Sequence, residues 1–200
     1  MKSVLISIQP KWVEKIIKGE KTIEVRKTRP KLETPFKCYI YYTKKKHLLA
    51  IFRKGDYIFS DDHKAGKFDE NIFVKGDYYW SGKVIGEFVC DKIDEYLCEE
   101  YEWGDGDVSL EYRIRTVEGE KTCLEYDEVR EYGNEKPLYF WHISDLKIYD
   151  KPKDLSEFKK PCYINEKTCY DCQHTWGFDY VKGCNGKIEK APQSWCYVEG

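Results

Sequence analysis

The sequence predicts an α+β fold, a mixed β-barrel of short strands with a few short helices, followed by a small cysteine-rich C-terminal extension. Three observations carry that expectation. The apolar bulk is aromatic, with 17 Tyr, 9 Phe and 6 Trp in 200 residues and a single Met, a composition that suits half-buried pleated surfaces. The apolar segments are short and end at Gly or Pro punctuation. Five of the nine cysteines fall beyond Pro161, which sets the end of the chain apart. The expected organisation is a barrel domain over residues 1–150 and an extension over 151–200, packed on the barrel.

The elements follow in order. Val4–Ile8 reads as a short apolar strand. Pro10 is placed to start a helix, and Trp12, Val13, Ile16 and Ile17 recur at helical spacing. Gly19 stops that helix, because a residue without Cβ takes the left-handed conformation cheaply. Lys21–Thr28 reads as a strand, ended by Pro30. Lys37–Thr43 is an aromatic strand, followed by the basic loop Lys44–His47. Leu48–Arg53 fits helix or strand, and Gly55–Ser60 is a further strand. Gly82–Ile93 alternates as a strand, with Glu87 among apolar positions. Tyr101–Gly106 reads as loop. Leu124–Tyr132, closed by Gly133, reads as a helix. Pro137–Ser144 and Leu146–Tyr149 read as strands, and Lys151–Phe158 as a linker followed by a short helical turn. Ser194–Val198 reads as a strand with Cys196 facing inward.

Charge is unevenly placed. The net charge is −2, but residues 1–59 hold 15 basic and 5 acidic side chains, net +10, and residues 60–200 are net −12. The basic first third points to an anionic ligand, with nucleic acid or nucleotide foremost, unless the two parts neutralise each other across the fold. No apolar run approaches the roughly 20 residues that span a bilayer, and the first residues do not form a secretion signal. A cytoplasmic protein with reduced thiols is expected.

The stretch Lys18–Thr28 concentrates chemistry. On a strand, Thr22, Glu24, Arg26 and Thr28 share one face. Lys21 and Arg26 offer a compact cation and a planar fork, both suited to phosphate. At about 6–7 Å between their origins, Glu24 and Arg26 are expected to orient one another only loosely. Glu24 can instead accept hydrogen bonds from a base amine. Trp12, Tyr41 and Tyr42 are available for stacking on a base, or for the core. Arg29, Lys27, Lys31 and Lys44–Lys46 can track a backbone or form a solvated turn. For catalysis, Glu24 and Glu87 near Lys21 form a candidate acid–base pair, with Lys21 facing a developing oxyanion. His142 and Ser144 share a strand face with no third group to complete a triad.

Gly19-Glu-Lys21-Thr-Ile-Glu24-Val-Arg26 resembles the G-x-K-x-x-E-x-R signature of ASCH domains, members of the PUA-like β-barrel superfamily. The order around it is also similar, with a strand and a Trp-bearing helix before it, Gly86-Glu87 mid-barrel and Tyr139-Phe-Trp-His-Ile-Ser144 late. The resemblance covers roughly residues 1–150, and the tail resembles an extension of bacterial and phage-type members. It implies a cleft beside the motif that binds RNA, a nucleotide or a modified nucleoside. One branch hydrolyses acylated cytidine with the motif Lys, a Thr three residues later as nucleophile and a mid-barrel Glu. Lys21 matches, Glu87 fits the assisting Glu, and Glu24 stands where that Thr would be. The resemblance therefore implies an RNA- or nucleotide-binding module first, a hydrolase on a modified nucleoside or RNA second, and a phage-type protein-interaction or sequestering factor third.

Cys162-x₆-Cys169-x₂-Cys172-x₁₁-Cys184 supplies four thiols, with His174 and Cys196 in reserve. A C-x₂-C pair places two sulfurs on one turn at the reach tetrahedral zinc requires. The expectation is a structural zinc held by Cys162, Cys169, Cys172 and Cys184, the alternative being thiols packed as small hydrophobes. Asp61, Asp62 and His63 form a weaker candidate for a hard cation.

Overall fold

The computed structural model describes residues 2–44, 49–53, 56–60, 78–102, 104, 107–160 and 187–199. Val4, Ile6 and Ile8 of β1 (Lys2–Ile8) point into the main core, and Leu5 packs into a second cluster on the other face. Both faces of β1 are therefore covered, which explains its near-continuous apolar run. Helix α1 (Pro10–Ile17) has Pro at its first position, buries Val13 and Ile16, and gives way to Gly19 at φ +75°. The chain then enters β2 (Ile23–Arg26), a four-residue strand buried throughout.

The strands β3 (Phe36–Tyr42), β7 (Val84–Tyr96) and β10 (Leu138–Lys153) complete the main sheet with β11 (Trp195–Glu199). Its order is β11-β1-β3-β7-β10-β2. β1 and β3 run parallel, and the other neighbours are antiparallel. β4 (Leu49–Arg53), β5 (Asp56–Ser60) and β6 (Tyr78–Tyr79) form a three-stranded sheet, and β8 (Cys98–Glu102) pairs β9 (Val108–Tyr112) in a hairpin. Two helices, α2 (Thr116–Thr122) and α3 (Tyr126–Gly133), precede β10. A 3₁₀ turn spans Leu155–Glu157. The fold is α+β, with strand predominant.

The sheet is not a closed barrel, which corrects the expectation of one. Its edges are β2 and β11, and side chains cross between them instead of a ladder. Arg26 donates to Ser7 O at 2.6 Å and to Ser194 Oγ at 3.3 Å. Trp195 Nε1 donates to Thr28 Oγ1 at 3.0 Å, and Lys31 N to Tyr197 OH at 2.6 Å. β2 is too short to pair further, because the chain turns out of the strand after Arg26.

Three local expectations also change. Tyr101 and Glu102 belong to a strand rather than a loop. The segments 137–144 and 146–149 are one bulged strand, which runs on through the expected linker to Lys153. Helix α2 has no apolar periodicity and was not expected from the sequence. Leu48–Arg53, open between helix and strand, is strand from Leu49. Among the described residues no helix is long and apolar enough to cross a membrane.

Candidate functional site

The turn after α1 delivers Lys21, and β2 delivers Glu24 and Arg26. All three are buried, at 2%, 5% and 7% exposure. Lys21 Nζ donates to the carbonyl of Thr122 at 2.7 Å. Thr122 is the last residue of α2, whose free carbonyl end favours a cation. The segment is further fixed by Thr22 N on Lys121 O at 3.0 Å and Ile143 N on Thr22 O at 2.9 Å. Glu24 lies between two cations, with Oε1 2.9 Å from Arg26 Nη2 and Oε2 3.5 Å from Lys21 Nζ. The loose coupling expected of Glu24 and Arg26 is thus replaced by a close ion pair.

Burial pushes the Lys21 ammonium below its ordinary value, and the adjacent Glu24 carboxylate acts against that shift. Glu24 Oε2 and Arg26 Nε are buried and make no hydrogen bond among the described residues. An unsatisfied buried polar atom costs about 1–3 kcal/mol. Both residues line an open cleft, although these two atoms lie behind its surface.

That cleft encloses about 830 Å³ beside the edge of β2. Lys21, Glu24, Arg26 and Lys27 line one side, Trp12 comes from α1, and Glu128, Glu131 and Tyr132 come from α3. Ser7, Lys44 and Ser194 are among the other residues that line it. Lys21 Nζ lies 5.1 Å from the Trp12 ring, and Lys27 Nζ 4.9 Å from that of Tyr132. Lys11 and Glu128, 3.9 Å apart, tie α1 to α3 across the cleft's end.

The structure brings together Trp12, Lys21, Glu24 and Arg26. It does not bring Glu87, Tyr41 or Arg29 into the same cleft. Glu24 pairs in register with Trp141 of the main core, whereas Glu87 pairs with Tyr39 of the second cluster. Cross-strand partners share a face, so the two carboxylates lie on opposite faces and make no acid–base pair. Glu87 accepts from Tyr149 at 2.5 Å and from Lys37 at 3.1 Å. Burial alone would raise its carboxyl, but these two donors hold it below the usual range. Tyr41 is buried and lines a neighbouring cleft, and Arg29 is exposed on the segment after β2. His142 is engaged by Asp94 at 2.7 Å, and Ser144 Oγ by Val89 O at 3.1 Å, so neither faces the cleft.

Sequence reasoning did not single out Tyr132, Glu128, Ser7 or the Thr122 carbonyl. Glu128 and Tyr132 are four apart on a predicted helix, a spacing that marks one shared face. Cys196 is half-buried against the second cluster, and burial pushes its thiol up. The zinc candidates Cys162, Cys169, Cys172 and Cys184, with His174, lie outside the described residues, as do Lys45, Lys46 and Asp61–His63. Among the described residues no cluster of metal-ligating side chains occurs.

No protein-family model matches the chain, and no curated protein matches it in sequence. Among solved structures it is similar to the ASCH protein of Zymomonas mobilis, at 16% identity over 76% of this chain and 73% of that one, with a TM-score of 0.44. A single-site variant of the same protein matches at 14% identity over 98% of this chain and 88% of that one, with a TM-score of 0.48.

Proposed function

We propose that the cleft beside Lys21, Glu24 and Arg26 binds the base of a nucleotide or modified nucleoside, free or within RNA. The observation that carries this reading is a cleft wall in which Lys21, Glu24 and Arg26 stand with Trp12 and Tyr132, with Glu24 Oε2 held only by the 3.5 Å ion pair to Lys21 among the described residues. A planar N–H donor on the ligand pairs with the Glu24 carboxylate once that group turns toward the cleft, and carboxylates read exocyclic amines in this way. Lys21, with one N–H on Thr122, can donate another to a neighbouring acceptor on the same ring. Trp12 and Tyr132 supply apolar faces for the base. Lys27 and Lys44 on the lining suit a phosphate outside the buried part.

The test is calorimetric titration of the whole chain with nucleosides, acylated nucleosides and their monophosphates. Binding of at least one is expected, weakened by about tenfold or more in Glu24→Gln. Lys21→Met serves as the second variant if Glu24→Gln does not fold. Absence of binding at low salt, or unchanged affinity in the folded variants, overturns the reading.

Hydrolysis of a modified nucleoside or of RNA is the second reading, favoured by the depressed proton affinity of Lys21. Against it, Glu24 Oε1 is occupied by Arg26 and Glu87 is on the far face. Product analysis in the same titrations separates the two: turnover abolished in Lys21→Met supports hydrolysis, and unaltered ligand sinks it.

A further inference from the structure

The cleft beside Glu24 adjoins a second one of about 630 Å³, and Ser7, Thr43, Lys44 and Gln193 line both. These shared residues form a saddle between two cavities, each large enough for a nucleoside. The second cavity is lined by the Tyr41 ring with Leu155 and Ile188, and Ser156 and Lys190 also line it. Its walls are tied in place, since Ile188 N donates to Phe158 O at 2.9 Å and Ser7 Oγ to Pro192 O at 2.6 Å.

Lys44 occupies the saddle. Its stem lies over Gly82, where an added Cβ would come within 2.5 Å of Lys44 Cε. Gly82 also stands at φ +78°, so the position favours glycine twice over and leaves Lys44 its seat. The second cavity itself carries carboxylates. Asp154 is paired with Lys83, but Glu189 also lines the space. Lys190 offsets Glu189 in charge, so the space inside holds no surplus cation, and a phosphate is better placed at the saddle, beside Lys44.

Resting on the reading of the first cleft as a base site, we propose that the second cleft seats the adjacent nucleotide of a single-stranded nucleic acid. The two bases lie in the two cavities, one beside Trp12 and Tyr132 and the other beside Tyr41. The Lys44 ammonium takes the phosphodiester that joins them. An aromatic side chain beside each base, the Tyr41 one by its exposed rim, and a cation between them resembles the arrangement by which single strands are held without pairing.

The experiment compares nucleosides, mononucleotides and dinucleoside monophosphates, ribo- and deoxyribo- side by side, on the full chain. The best dinucleotide is expected to bind about tenfold tighter than its best nucleoside. Ser156→Trp, an exposed change that fills only the second cleft, is expected to cancel that gain and leave nucleoside affinity unchanged. Lys44→Ala is expected to shrink the gain and flatten the salt dependence by about 0.7 in log–log slope. A gain with either sugar supports the second subsite, and its size shows which sugar is taken. Nucleoside binding without any dinucleotide gain, or a gain that survives Ser156→Trp, overturns it while the base-site reading stands. If neither nucleosides nor dinucleotides bind, the base-site reading itself fails and the second subsite falls with it.

Discussion

Glu24 and Arg26, two positions apart on a four-residue edge strand, close an ion pair of 2.9 Å while Arg26 also donates to Ser7 O at 2.6 Å. One guanidinium therefore holds the site's carboxylate and spans the open edge of the sheet. Two cations, Lys21 and Arg26, share one buried anion, so the cluster carries a surplus positive charge. Removing Glu24 leaves both cations uncompensated, and a broken buried pair costs about 3–5 kcal/mol. Glu24→Gln is expected to lower the urea midpoint accordingly, with the slope unchanged. Lys21→Met removes the surplus and leaves the Glu24–Arg26 pair intact but strips the Thr122 carbonyl of its donor, so it is expected to cost clearly less than Glu24→Gln. Equal destabilisation by both changes would contradict the surplus-charge account.

Burial of the Lys21 ammonium gives a pH dependence with a definite sign. Burial lowers the Lys21 pKa below its ordinary 10.5. Between the lowered value and 10.5 the unfolded chain binds more protons at this residue than the folded one. Stability contributed through Lys21 therefore rises with pH across that window and is least below it. The stability of Lys21→Met relative to the natural protein is expected to be greatest at neutral pH and to fall as the ordinary value is approached. Urea unfolding of both proteins over a pH series measures it, and a relative stability that rises with pH would show that Glu24, not desolvation, dominates.

Trp12 lies under the Lys21 ammonium and lines the cleft. Base–aromatic stacking is worth about 1–3 kcal/mol per base, so Trp12→Ala is expected to weaken nucleoside binding by about fivefold to about 150-fold. Trp12→Phe is expected to restore most of it. Tyr132→Ala tests the α3 side of the same cleft. Full affinity in Trp12→Ala would place the base elsewhere.

How much of this was legible from residues differs by kind of contact. The local run Gly19–Arg26 could be read directly, because a helix stop and strand alternation place Glu24 and Arg26 on one face within a few residues. The Thr122 carbonyl could not, being 101 positions from the lysine it receives and at the end of a helix that shows no apolar stripe. Glu87 was misplaced because strand parity alone does not say which face of the sheet meets α1. That is set by pairing with Tyr39 and by the bulges of β10, between Ser144 and Lys147 among others. The open edge was invisible for a related reason. Whether β2 meets β11 by a ladder or through Arg26 depends on where the last strand packs, which is a long-range matter.

The four thiols Cys162, Cys169, Cys172 and Cys184 still predict a zinc site from spacing. Purified, reduced protein is expected to hold about one zinc per chain by elemental analysis, lost in Cys172→Ser with a fall in thermal stability. Chelation should reproduce that fall in the natural protein. Four freely titrating thiols with no stoichiometric zinc would leave them as packing residues.

Two helical glycines test how the cleft walls are seated. Gly133, the last residue of α3, packs so close to Tyr112 that an added Cβ would lie 2.2 Å from its hydroxyl oxygen. That hydroxyl is itself held, donating to Lys136 O at 2.6 Å, so it cannot simply swing away. Gly133→Ala is expected to cost about 1–3 kcal/mol. It should also weaken ligand binding, since α3 carries Glu128 and Tyr132 into the cleft. Gly119 of α2 is the contrast, because the nearest atom to a methyl added there would be Ile114 Cγ2 at an ordinary 3.8 Å. Gly119→Ala is expected to gain about 0.5–1 kcal/mol through helix propensity, and to firm the carbonyl end that receives Lys21. Thermal melts of the two variants should move in opposite directions. A shared loss would mean that α2 needs glycine for a reason other than backbone freedom.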